Sequence, residues 1–127
     1  MRLTPDQIAI VLRVATSFIG QSYAHDFRCV DFVRSVFSAA GIVIPKLTTQ
    51  SPPAEFNISK EELRDPPVGH IMFLKDRTDP RKWRAWTHVV IIFPHKMCIH
   101  CSLFHGRKVT VSTLDELFTV YDFAESK

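Results

Sequence analysis

The sequence predicts an α+β domain in which helices at the amino end pack on an antiparallel sheet. Three observations carry this. Two stretches with a helical repeat of apolar residues fill the amino-terminal third, short runs rich in β-branched and aromatic residues fill the part beyond Gly69, and a proline-studded segment separates them. With 46% hydrophobic and 23% charged residues over 127 positions, the chain is expected to form one domain, residues 1–127, with a core of its own.

The first helix announces itself at Thr4-Pro5-Asp6-Gln7, where a capping threonine, a proline at the first helical position and a glutamine suited to a capping box stand together. Ile8, Val11, Leu12, Ala15, Phe18 and Ile19 then recur at helical spacing before Gly20. A second stripe, Cys29, Phe32, Val33, Val36, Phe37 and Ala40, stops at Gly41 and has Asp31, Arg34, Ser35 and Ser38 on its other side. Between Ile42 and Val68 prolines at 45, 52, 53, 66 and 67 call for a long loop, with one short helical turn near Ser59 to Glu62. The runs HIMFLK, THVVIIF, MCIHCSLF and KVTVS read as an antiparallel meander, followed by a helical turn over Leu114 to Phe118 and a last strand near Val120 to Phe123.

Composition also bounds function. Sixteen basic against thirteen acidic residues leave a net charge of +3, too small an excess for a nucleic-acid footprint but favourable to an anionic substrate surface. The opening residues are broken by Thr4, Pro5, Asp6, Gln7 and Arg13, so they read neither as a signal peptide nor as a membrane span. The expectation is a cytoplasmic protein unless a signal-independent route exports it. Three cysteines are an odd count, which argues for free thiols and requires each to be explained singly.

Cys29 falls in the first turn of the second helix. Unpaired N–H groups and the positive end of the helix dipole favour thiolate there, Arg28 pushes the same way, and the same N–H groups could hold an oxyanion. The competing reading is a buried apolar thiol, because Cys29 also lies on the apolar stripe. A nucleophile needs a base, and His88 and His100 are the candidates. If their strands pair through the three-residue loop Pro94-His95-Lys96, both histidines face one side as opposite or diagonal neighbours; a two-residue loop would put them on opposite faces. In the first case His88 can take the proton from Cys29 while His100 orients the His88 imidazole.

At these residues the chain resembles the NlpC/P60 superfamily of papain-like cysteine peptidases and amidases. The family's tyrosine before a helix-opening cysteine looks like Tyr23 and Cys29, and its following segment looks like AAGIVIPKLTTQ ending at Gln50. Three strands correspond likewise: Pro67 to Phe73, His88 to Ile92, and Ile99-His100-Cys101-Ser102. The resemblance implies a papain-like fold, a Cys29 nucleophile, a His88 base, a His100 orienter and Tyr23 near the oxyanion, acting on amide bonds, most often in peptidoglycan stem peptides, without metal or organic cofactor. The chain departs from the family at Arg28-Cys29-Val30-Asp31, usually Asp-Cys-Ser-Gly, and at His70, usually Asp. The expected partner is therefore a peptide or peptidoglycan fragment, with no nucleic acid and no membrane span. A cysteine-dependent acyltransferase or deamidase, or a non-catalytic binding module, stands as the alternative.

Cys98 and Cys101 have the spacing of redox and zinc motifs but lie within one strand, where they point to opposite faces. His25, His70, His95 and His105 read as ordinary solvated histidines. The stretch KDRTDPRKWRAW sets Arg77, Arg81, Lys82 and Arg84 among Trp83 and Trp86, which is either a solvated turn or a basic, stacking rim in which Trp86 meets substrate.

Overall fold

The computed structural model describes residues 1–47 and 50–127. Thr48 and Thr49, part of the motif that ends at Gln50, lie outside the described residues.

Helix α1, Pro5–Ser17, begins with the capping box that the sequence calls for: Gln7 N–H donates to Thr4 Oγ1 and Thr4 N–H to Gln7 Oε1. Helix α2 runs Cys29–Ala39 and buries Phe32, Val33, Val36 and Phe37. The connection from Ile42 holds one 3-10 turn, Lys60–Leu63. Strands β1 (Ile71–Asp76), β2 (His88–Phe93), β3 (Met97–Ser102) and β4 (Lys108–Thr113) follow, then the short helix α3 (Leu114–Phe118) and strand β5 (Tyr121–Phe123).

The first four strands form the expected meander, but β5 does not extend it. The sheet order is β4-β3-β2-β1-β5, with β5 antiparallel to β1. Helix α3 buries Leu114 and Leu117 and carries the chain back across the sheet, so the last strand closes the edge that β1 would otherwise expose.

Alternation along the strands divides the core into two layers. Ile71, Phe73, Val89, Ile91, Ile99 and Cys101 face α1 and α2. Met72, Leu74, Val90, Ile92 and Cys98 face the other way, against Leu114, Leu117 and Tyr121. Cys98 and Cys101 thus stand on opposite faces, which rules out a shared role for that pair. No helix among the described residues is long and apolar enough to cross a membrane.

Two residues tie the loop to the sheet. Buried Asn57 accepts the Phe73 N–H at 3.1 Å and donates to Ala124 O at 2.8 Å, pairing backbone groups of two elements at once. Gly69, at φ +82°, passes so close to α1 that a Cβ there would lie 3.2 Å from Ile8 Cγ2.

Candidate active site

The site forms where the start of β2 meets the start of α2. Arg28 is extended, and its N–H is taken by Asp31 Oδ2 at 2.9 Å, which fixes the first turn of the helix. Cys29 therefore opens α2 half-buried, with its sulfur in reach of the backbone N–H groups of Val89 and Val30. Val89 directly follows His88, so the same strand end supplies both a donor to the sulfur and the imidazole.

Phe93 pairs with Met97 across the loop 94–96, where His95 and Lys96 adopt positive φ. Continuing that register sets Val90 opposite His100 and makes His88 and His100 diagonal neighbours on one face. Their rings meet: His88 Nε2 and His100 Nδ1 are 2.7 Å apart, and both side chains are buried. Tyr121 from β5 stacks on the His88 ring at 5.3 Å. One strand further, His100 Nε2 lies 2.9 Å from Ser112 Oγ, again a diagonal step, since His100 itself pairs with Thr110.

The run His88–His100–Ser112 is self-consistent in two directions. When Ser112 Oγ accepts from His100 Nε2–H, His100 Nδ1 accepts from His88 Nε2–H, and His88 Nδ1 carries a bare lone pair. When Ser112 donates, every proton moves one atom along and His88 Nδ1 is protonated. Only the first arrangement makes His88 a base at Nδ1.

A cleft of about 460 Å³ joins the pieces, lined by Tyr23, Cys29, Thr87, His88 and Tyr121. One wall carries the ion pair of Arg81 with Asp79, at 2.8 Å. Leu103 and Phe104 also line the cleft, the latter 70% exposed. Tyr23 is held beside Cys29 by a backbone bond from its N–H to Arg107 O at 2.7 Å.

Burial dominates the electrostatics. It pushes the Cys29 thiol above its ordinary value, outweighing the N–H groups of Val89 and Val30 and the Arg28 charge, which pull the other way. Burial likewise drives His88 well below the usual imidazole range, with His100 and His105 adding to it, and lowers His100 to about 4. Burial thus works against the thiolate that the helix head favours. It favours the thiol form of Cys29 and the neutral form of the His88 imidazole.

Trp86 does not stand on the rim. It is 3% exposed and sets its ring edgewise on Phe73 at 5.0 Å, forming the floor beside a second, smaller lobe of the cleft. The exposed aromatic of that loop is Trp83, with the Arg81 guanidinium 5.9 Å from its ring centre. His105 is also no simple solvated histidine: Ser102 Oγ lies 3.0 Å from its Nδ1, and its ring is 5.3 Å from that of His100. His70 accepts the Leu3 N–H at 3.4 Å and bonds Val68 O at 3.1 Å, tying down the amino end away from the cleft. Ser112 was open to sequence reasoning, since it follows His100 at the interval separating His100 from His88; its strand had to be registered first.

Comparison with solved structures bears on the fold. The NlpC/p60 domain of the peptidoglycan hydrolase SagA superposes with a TM-score of 0.67 at 24% identity, over 94% of this chain and 98% of that one. The chain has the NlpC/P60 fold. NlpC1 from Trichomonas vaginalis gives a TM-score of 0.74 at 14% identity, over 100% of this chain and 45% of its own. An NLP/P60-family protein similar to a lipoprotein, from Staphylococcus aureus, gives 0.68 at 16%, over 99% and 43%. The chain thus spans less than half the length of these last two proteins. No family model matches the sequence, and no curated protein matches it. Helices on a five-stranded antiparallel sheet leave Cys29 and His88 lining one cleft, with His100 buried behind His88.

Proposed function

We propose that the chain is a cysteine hydrolase that cleaves an amide bond in a peptide, with peptidoglycan stem peptides as the substrate class. The observation that carries this reading is the 2.7 Å contact of His88 Nε2 with His100 Nδ1, in a cleft shared with a helix-opening thiol. Such a contact leaves Nδ1 of His88 as the free nitrogen of a buried, neutral ring.

The reaction is acyl transfer to water. Cys29 Sγ attacks the amide carbonyl carbon while its proton passes to His88 Nδ1. His100, anchored by Ser112, takes the His88 Nε2–H and orients the ring as it becomes imidazolium. Charge on the carbonyl oxygen is met by the Cys29 backbone N–H and the Tyr23 hydroxyl. His88 gives its proton to the departing amine, a thioester forms on Cys29, and water activated by His88 releases the acid. The low imidazole pKa keeps the base ready at neutral pH, and the raised thiol pKa makes its proton transfer to His88 part of the attack.

The names of the similar proteins support the substrate: SagA and the Mycobacterium tuberculosis RipB are described as peptidoglycan hydrolases. The test is mass analysis of fragments released from purified sacculi. Wild type should release peptide fragments with a new amine and a new carboxylate, and Cys29→Ala and His88→Ala should release none above background. Intact sacculi with wild type, or equal release by the Cys29→Ala variant, would reject the reading.

A further inference from the structure

The smaller lobe of the cleft has an unusual charge. This cavity, about 300 Å³, adjoins Cys29 on the α2 side, and four cationic side chains line it: Arg28, Arg34, Lys46 and Arg84. Its one acidic residue is Asp31, and that carboxylate is already engaged with Arg28, taking the backbone N–H at 2.9 Å and lying 3.7 Å from Nε. Arg34 and Arg84 are oriented by backbone carbonyls, Nε of Arg34 donating to Ile44 O at 3.0 Å and Nε of Arg84 to Trp86 O at 3.2 Å. Among the described residues no carboxylate forms an ion pair with Arg34, Lys46 or Arg84. The larger lobe holds two acids, Asp79, which is occupied by Arg81 and Lys75, and Asp76, whose Oδ1 accepts the N–H and the hydroxyl of Thr78.

Solvated cations on a surface are ordinary, and each of these alone would be one. Their convergence is different: α2, the loop after it and the β1–β2 connection each send a cation to one concavity that also holds the thiol. Arg84 lines both lobes and so sits at their junction. Two guanidinium groups held at Nε keep their terminal N–H groups for a ligand, and such forks match carboxylate geometry.

We propose that this lobe is an anion-binding subsite, which seats a carboxylate of the substrate beside the bond that Cys29 attacks, with Arg84 as its principal contact and Lys46 and Arg34 behind it. As a statement about substrate it rests on the hydrolase reading above; as a statement about anion binding next to Cys29 it can be tested separately.

The test compares two alkylating probes of nearly equal size, anionic iodoacetate and neutral iodoacetamide. In both, a bond forms from Cys29 Sγ to carbon, the carbon–iodine bond breaks, iodide leaves and the thiol proton is released. The iodoacetamide rate reports the thiol itself, so the ratio of the two rates isolates the effect of charge. The ratio at Cys29 should fall about fivefold in Arg84→Gln, fall less in Lys46→Gln, and be kept in Arg84→Lys. Salt at about 0.5 M should bring wild type down to the variants. Lys46 is exposed, so its variant reads the subsite even where the Arg84 variant loses stability, as a melting curve would reveal. A ratio equal in wild type and both glutamine variants, or one indifferent to salt, overturns the proposal. Intact sacculi with a charge-selective ratio would keep the subsite and remove the cell-wall reading; cleaved sacculi with a flat ratio would do the reverse.

Discussion

His88 and His100, on neighbouring strands, share a single hydrogen bond of 2.7 Å, and both are buried. The bond holds the tilt of the His88 ring, which lines the same cleft as Cys29. If His100 is there to orient, then His100→Ala should lower kcat about 100-fold with KM little changed, whereas His88→Ala should abolish turnover. Steady-state kinetics on a soluble peptide released from sacculi separates the two.

Ser112 is expected to act through His100. Ser112→Ala leaves His100 Nε2 without its partner and loosens the hold on the pair, so kcat should fall about tenfold while Ser112→Thr, which keeps the Oγ, holds activity. Nitrogen chemical shifts of the two rings provide a readout that simple destabilisation would not move: wild type should show a proton on His100 Nε2, and Ser112→Ala a mixture.

The pH dependence follows from the directions of the shifts. His88 sits well below the usual imidazole range, so the acid limb of kcat/KM should lie below pH 6.5. The Cys29 thiol is raised, so no alkaline loss should appear up to about pH 9. A narrow bell centred near pH 6 would instead indicate a thiolate–imidazolium pair.

Stability has a sign of its own. Both histidines have folded-state pKa values below the unfolded value of roughly 6.5, so the unfolded chain binds more protons as the solution is acidified. The contribution is present above pH 6.5 and is lost progressively toward pH 4. Thermal melts across that window should show Tm falling, and the fall should be shallower in His100→Ala.

Gly69→Ala tests the packing that holds the sheet to α1. A side chain at φ +82° and a Cβ 3.2 Å from Ile8 together should cost about 1–3 kcal/mol, read as a drop of several degrees in Tm.

Much of this was legible from spacing. The capping box at Thr4 and the apolar stripe from Cys29 to Ala40 use local rules, and local rules found both helices. The two histidines could be placed on one face because a three-residue loop leaves only one parity for the pairing. What escaped depends on partners far away in sequence. Beside β1, β5 finds its place because α3 folds back over the sheet, and nothing within Tyr121–Phe123 announces that. Asn57 is identified only by the Phe73 and Ala124 backbone groups it satisfies. Trp86 sits in a charged stretch that reads as surface, yet Phe73 draws it inside. The burial that opposes a Cys29 thiolate was hidden as well, because it is a property of the assembled cleft and not of the helix head.

The central claim is that Cys29 becomes acylated with His88 as its base, and a rapid acid quench followed by peptide mass analysis tests it most directly. Wild type mixed with a peptidoglycan-derived peptide should carry a thioester adduct on the fragment containing Cys29 within the first turnover, and His88→Ala should form it at least about 1,000-fold more slowly. Product release with no adduct on Cys29, or an adduct that forms equally fast without His88, would contradict it.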